Sequence, residues 1–183
     1  TQLHADAMAL ARQWTLVLMV VSCAAPATRG PPAGPTLLWS LDAASLDNPF
    51  PDGRLVDAQG HLSARPGYWM PFLPASASTL EADALFGGYV EPLAELDGWS
   101  VTGSFLLRTS APVDVASLAG ERAWFVPTGG GDRVPAVVTW RADPGFLLVK
   151  PAGALQPASE HALVILRGLT AGGVPLVESA DAW

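Results

Sequence analysis

Between residues 103 and 167 five short apolar runs alternate with turn residues, and no segment between them shows a helical period. The runs are Gly103 to Thr109, Arg122 to Val126, Pro135 to Arg141, Gly145 to Lys150 and His161 to Arg167. Gly129-Gly130-Gly131-Asp132, Asp143-Pro144-Gly145, Pro151-Ala152-Gly153 and Gly172-Gly173 punctuate or follow them. Parallel strands need long crossovers, usually helical, whereas antiparallel neighbours need only turns. The spacing therefore predicts an all-β chain, an antiparallel β-sandwich over residues 100–178. Phe105, Trp124, Trp140 and Phe146 lie inside apolar runs and are expected between the sheets rather than on a binding platform.

Composition agrees with a folded chain. Of 183 residues 50% are hydrophobic and 15% charged, while 18 glycines and 17 prolines supply many turns. That length suffices to bury a substantial core. The formal charge of −7 is spread thinly and no Lys/Arg cluster occurs, which excludes a phosphate-tracking nucleic-acid surface. The acidic excess reads as solubility.

The first 36 residues read as processing and tether. From Met8 the chain carries Arg12, an apolar stretch from Trp14 to Val21 too short to span a bilayer, and then the small residues Ser22, Cys23, Ala24 and Ala25. This is the pattern of a secretory signal peptide over residues 1–22, with Met8 as the start and residues 1–7 as an upstream extension or a miscalled beginning. Cys23 is the only cysteine, so no disulfide can staple the fold. Val20-Val21-Ser22-Cys23 resembles the lipobox of bacterial lipoproteins, which implies diacylglyceryl transfer to the thiol, cleavage before Cys23 and acylation of the new amino terminus. Two or more acyl chains are what stable anchoring needs, because a single chain holds only marginally. The membrane is then the partner, reached through the lipid. Ala24 rather than aspartate after the cysteine implies outer-membrane sorting. Residues 23–36, rich in Pro, Ala and Gly, form a semi-rigid tether. An ordinary secretory signal with a chance cysteine and a cytosolic chain are the alternatives.

The remaining chain resembles two bacterial families. Ala111 to Leu118 (APVDVASL), the strands that follow, and Ala154-Leu155-Gln156-Pro157 leading to Gly168-Leu169 look like bacterial Ig-like domains. Asn48 to Leu55 (NPFPDGRL) and Leu96-Asp97-Gly98-Trp99-Ser100 resemble the N-terminal region of virulence-factor-type extracellular lipases. The two together imply a loop-rich N-terminal arm over residues 37–99 followed by an Ig-like sandwich, with 179–183 as a truncated or linker end. Where Ig-like relatives often carry a tyrosine, this chain has Glu160-His161-Ala162, so a tyrosine corner must be replaced or absent.

Catalytic parts are not found in the sequence. No Gly-x-Ser-x-Gly elbow occurs, His61 sits in a turn-rich segment and His161 at a strand start, and no Cys/His set suits zinc. No cofactor is expected, and the chain is read as no enzyme by itself. Asp47, Asp52 and Asp57 gather oxygen ligands around Pro49-Phe50-Pro51 as a weak calcium candidate, set against ordinary turn capping. Tyr68, Trp69, Phe72 and Phe86, in Gly/Pro-rich surroundings, are the candidate ligand contacts, set against a satellite core packing the arm on the sandwich.

Three functions follow from these features. The first is a membrane-anchored, non-catalytic Ig-like surface module, serving as stalk or interaction domain. The second is the non-catalytic leading part of a secreted or surface lipase, with a further domain as partner. The third is a carbohydrate- or lipid-binding lipoprotein.

Overall fold

The computed structural model describes residues 17–19, 33–42, 45–55, 57, 61, 96 and 98–179. Its strands are β1 (Val17–Met19), β2 (Thr36–Leu37), β3 (Phe105–Arg108), β4 (Ala123–Pro127), β5 (Val134–Arg141), β6 (Phe146–Pro151), β7 (His161–Ile165), β8 (Thr170–Ala171), β9 (Val174–Pro175) and β10 (Val177–Glu178). Helix among the described residues is limited to 3₁₀ turns such as Gly53–Leu55 and Val115–Leu118. The fold is all-β and sandwich-like.

One six-stranded sheet, in the order β1-β7-β4-β5-β6-β3, contains all five runs that the sequence marks as strands. From β7 through β3 the pairing is antiparallel; β4-β5 and β5-β6 are turn-linked neighbours, while β4-β7 and β3-β6 join strands distant in sequence. Two further pairs, β10-β2 and β8-β9, form small separate sheets, and Leu37, Leu169 and Leu176 in or beside them pack with the core of the main sheet. The core forms from Phe105, Leu107, Ala123, Phe125, Leu147, Val149, Leu163 and Ile165 of the main sheet, closed by Leu37, Val113, Leu155 and Leu169.

Period-2 alternation decides which aromatics join that core. Phe125 and Leu147 point inward, so their neighbours Trp124 and Phe146 point to the opposite face. Both are buried, yet neither belongs to the core cluster. The expectation that all four aromatics fill one interior is thus corrected: Phe105 does, Trp140 packs against its margin, and Trp124 and Phe146 serve the second face. Trp124 lies under the guanidinium of Arg133, whose Cζ is 4.6 Å from the ring centroid.

The sheet edges are managed differently. Along β3, Leu38 N donates to Arg108 O, Ser110 N donates to Thr36 O, and Phe50 exchanges both backbone hydrogen bonds with Leu106. The arm thereby covers that edge. Thr36, the last residue of the expected tether, is already a strand residue paired in parallel with Val177. At the other edge β1 pairs in parallel with β7, Val17 opposite Ala162, Leu18 opposite Leu163 and Met19 opposite Val164. Val17–Met19 lies inside the apolar stretch assigned to the signal peptide. Its β-branched and apolar residues also suit a strand, which is why a leader reading alone does not reveal this pairing.

Candidate functional site

Tyr68, Trp69, Phe72 and Phe86 fall outside the described residues, as does Cys23. Among the described polar residues of the arm, Asn48, Asp52 and Arg54 find partners within the chain. Asp52 is buried and accepts from the backbone N and the guanidinium of Arg54, while Arg54 Nη1 donates to Ser40 O at 2.9 Å and Leu41 O at 3.2 Å. The same guanidinium lies 5.1 Å from the Trp39 ring centroid. Asn48 Oδ1 accepts from Ser40 N at 2.8 Å, and its Nδ2 donates to Asp42 O at 2.7 Å. Asn48, Asp52 and Arg54 thus clamp the chain from Trp39 to Asp42 against the turn that holds Phe50.

The three aspartates of the calcium candidate are spent separately. Asp47 pairs with Arg108 at 3.0 Å, Asp52 with Arg54, and Asp57 Oδ1 accepts from His61 N at 2.9 Å. Among the described residues no three His, Cys, Asp or Glu side chains gather as a metal-binding group. An aromatic contact also ties two distant stretches of the arm to each other. Phe50 meets Trp99 edge-to-face, with centroids 5.2 Å apart.

A second polar constellation, not singled out by sequence reasoning, sits at Asp114. Gly172 and Gly173 form the two-residue turn between β8 and β9 with φ of 58° and 77°, the left-handed pair that such a hairpin demands. Their backbone N–H groups donate to the Asp114 carboxylate at 3.0 and 2.8 Å, and Thr170 Oγ1 donates to it at 2.6 Å. The Thr170 bond and the Gly173 bond hold the carboxyl below its ordinary pKa. Asp114 therefore ties the 3₁₀ turn to the hairpin. Any Cβ at position 172 or 173 would face that left-handed backbone, so Gly-Gly is the legible half of the device.

His161, at the start of β7, is 5% exposed. Its Nδ1 lies 3.5 Å from Ser159 Oγ, and Nε2 is buried with no hydrogen-bond partner among the described residues. Burial pushes its pKa down, opposed by Ser159. No described serine nucleophile with a carboxylate behind it accompanies it in the manner of a triad. His61 is exposed, 3.9 Å from Asp57.

These two shifts predict an acid limb in two steps. The unfolded chain protonates His161 before the folded chain does, so stability is complete above about pH 6.5 and declines as pH falls from there toward the lower folded value. Asp114 adds stability above the unfolded carboxylate range, near pH 4, which is lost as pH falls through its depressed folded value. Urea midpoints measured from pH 7.5 to 2.5 should fall in both windows. His161→Leu should flatten the upper step and Asp114→Asn the lower. A midpoint constant from pH 7 to 5 in the parent chain would contradict the first assignment.

A small cleft of about 30 Å³, room for one water, lies among Leu37, Ile165, Leu176 and the Arg167–Glu178 ion pair. That is far below the few hundred Å³ of a typical ligand pocket. Comparison of the chain with protein-family models, with curated proteins and with solved structures yields no match.

Proposed function

We propose that the chain is a non-catalytic, Ig-like surface module held to a bacterial outer membrane by lipid on Cys23. The observation that carries this reading is the position of the sole cysteine, at the point where an apolar run yields to small residues and then to a Pro/Ala/Gly-rich segment. The entry of that segment at Thr36, directly into the sandwich, supports a stalk whose tether and folded domain are continuous. Cys23→Ala should abolish the mass gain on the mature amino terminus and move the protein from the membrane to the soluble fraction. Equal partitioning of the two forms would overturn the anchor.

The contact of Phe50 with Trp99 favours a second reading, the non-catalytic leading part of a lipase. It joins the two stretches that carry the lipase resemblance into one arm. In either case the purified chain should leave p-nitrophenyl esters untouched. Turnover lost on mutating His61 or His161 would refute both. A carbohydrate- or lipid-binding role through Tyr68, Trp69, Phe72 and Phe86 would instead be shown by ligand binding that Trp69→Ala abolishes with folding intact.

A further inference from the structure

We infer that the outer edge of β7 is a strand-addition site, which Val17–Met19 occupies within the chain and which accepts in its place an extended apolar segment of a partner, running parallel to β7. Three observations carry this. Residues 17–19 are seated along Ala162–Val164 in continuous parallel register, a strand drawn from far outside the sandwich in sequence. The main sheet has two edges, and among the described residues only β3 is built over by residues 36–50, through Leu38, Phe50 and Thr36. With β1 removed, β7 would become the terminal strand of the order β7-β4-β5-β6-β3.

The edge also lacks the features by which proteins discourage pairing. His-Ala-Leu-Val-Ile contains no proline, lysine or glycine, and its register with both β4 and β1 is unbroken by a bulge. Main-chain hydrogen bonds to an exposed edge give affinity to any extended segment, while alternating side-chain positions give selectivity. Val17-Leu18-Met19 defines the selected chemistry: uncharged, apolar, extended and capable of donating its N–H groups. The occupant is accordingly a peptide strand rather than a glycan or a lipid.

The consequence for the processed form rests on the Cys23 reading, because cleavage before Cys23 would carry Val17–Met19 away and uncover the edge. The site itself does not depend on lipidation. It is tested on the full 183-residue chain carrying Cys23→Ala, so that failure of the anchor and failure of the edge remain separate results. In that chain, hydrogen exchange of the β7 amides should be slow. Ala162 and Val164 bond to β4, so Leu163 is the residue whose N–H and carbonyl face β1, and the parallel register sends the Met19 N–H to it. Met19→Pro removes that donor, and should speed exchange of the Leu163 amide by at least about tenfold, with the Phe125 amide in β4 unchanged.

A peptide of residues 14–21 flanked by lysines, added to the Met19→Pro chain, should restore the protection of Leu163. The same peptide with proline in place of Met19 should not. Unchanged exchange at Leu163 in Met19→Pro would overturn the internal pairing, and protection restored equally by both peptides would overturn strand addition. Met19→Ala, which keeps the donor, should retain the protection and shows that proline acts through pairing.

Discussion

Phe125→Ala should lower the stability of the sandwich by about 3–5 kcal/mol, the cost of deleting a fully buried aromatic side chain from a close-packed interior. Phe125 is 0% exposed and packs on Phe105 with ring centroids 4.8 Å apart. Its backbone stands between Leu163 on β7 and Val134 on β5, so the side chain lies at the centre of the sheet rather than at a margin. Collapse around the vacated volume would require two paired strands to move together, and their ladders resist that. Domains of this size are stable by only about 5–15 kcal/mol, so the variant should unfold at a clearly lower urea midpoint or fail to accumulate. Phe125→Leu, which keeps most of the apolar volume, should recover a large share of the loss. Trp140→Ala should cost less than Phe125→Ala, because Trp140 is partly exposed beside the turn at Gly145. A loss below about 1 kcal/mol for Phe125→Ala would mean that the interior is not assembled around β4.

How much of this was legible depends on the range over which each feature is encoded. Five of the six strands of the main sheet are marked locally, by apolar runs and by Gly- or Pro-bearing turns, and all five occur. Which face a residue takes is less legible in β4 and β6. Ala-Trp-Phe-Val-Pro and Phe-Leu-Leu-Val-Lys-Pro are nearly continuous apolar runs with burial on both faces, so no polar alternation distinguishes Trp124 from Phe125. In β5 the burial alternates regularly, yet Val137, on the exposed side, is 56% exposed despite its type. Pairings between distant segments leave no local trace: β1 with β7, Thr36 with Val177, and Phe50 with Leu106 were not readable from either partner. The polar arm shows the same limit. Asp52 accepting from Arg54 N is the local turn bond its residue type suggests, whereas the reach of Arg54 to Ser40 and Leu41 and of Arg108 to Asp47 arises only in the fold.

That long-range reach makes Asp52 the next most sensitive position. Asp52→Ala removes the acceptor for Arg54 N, Nε and Nη2, leaving the guanidinium, among the described residues, with the Ser40 and Leu41 carbonyls and the face of Trp39. Two magnitudes compete. Breaking a fully buried pair costs about 3–5 kcal/mol, because a charge is stranded away from water. Here the Arg54 side chain is 27% exposed against 5% for Asp52, so solvent can recover part of the loss. The expected cost is therefore about 1–3 kcal/mol, that of an orphaned, partly buried charged donor. Arg54→Ala should act in the same direction by also freeing the carbonyls of Ser40 and Leu41. The double variant should be less destabilised than the sum of the singles, with a coupling of about 0.5–3 kcal/mol. Because this clamp holds the turn that places Phe50 against Leu106, exchange of the Leu106 amide should accelerate while amides in β4 and β5 stay protected. Strict additivity of the cycle with unchanged exchange at Leu106 would show that the clamp does not hold the arm to the sheet.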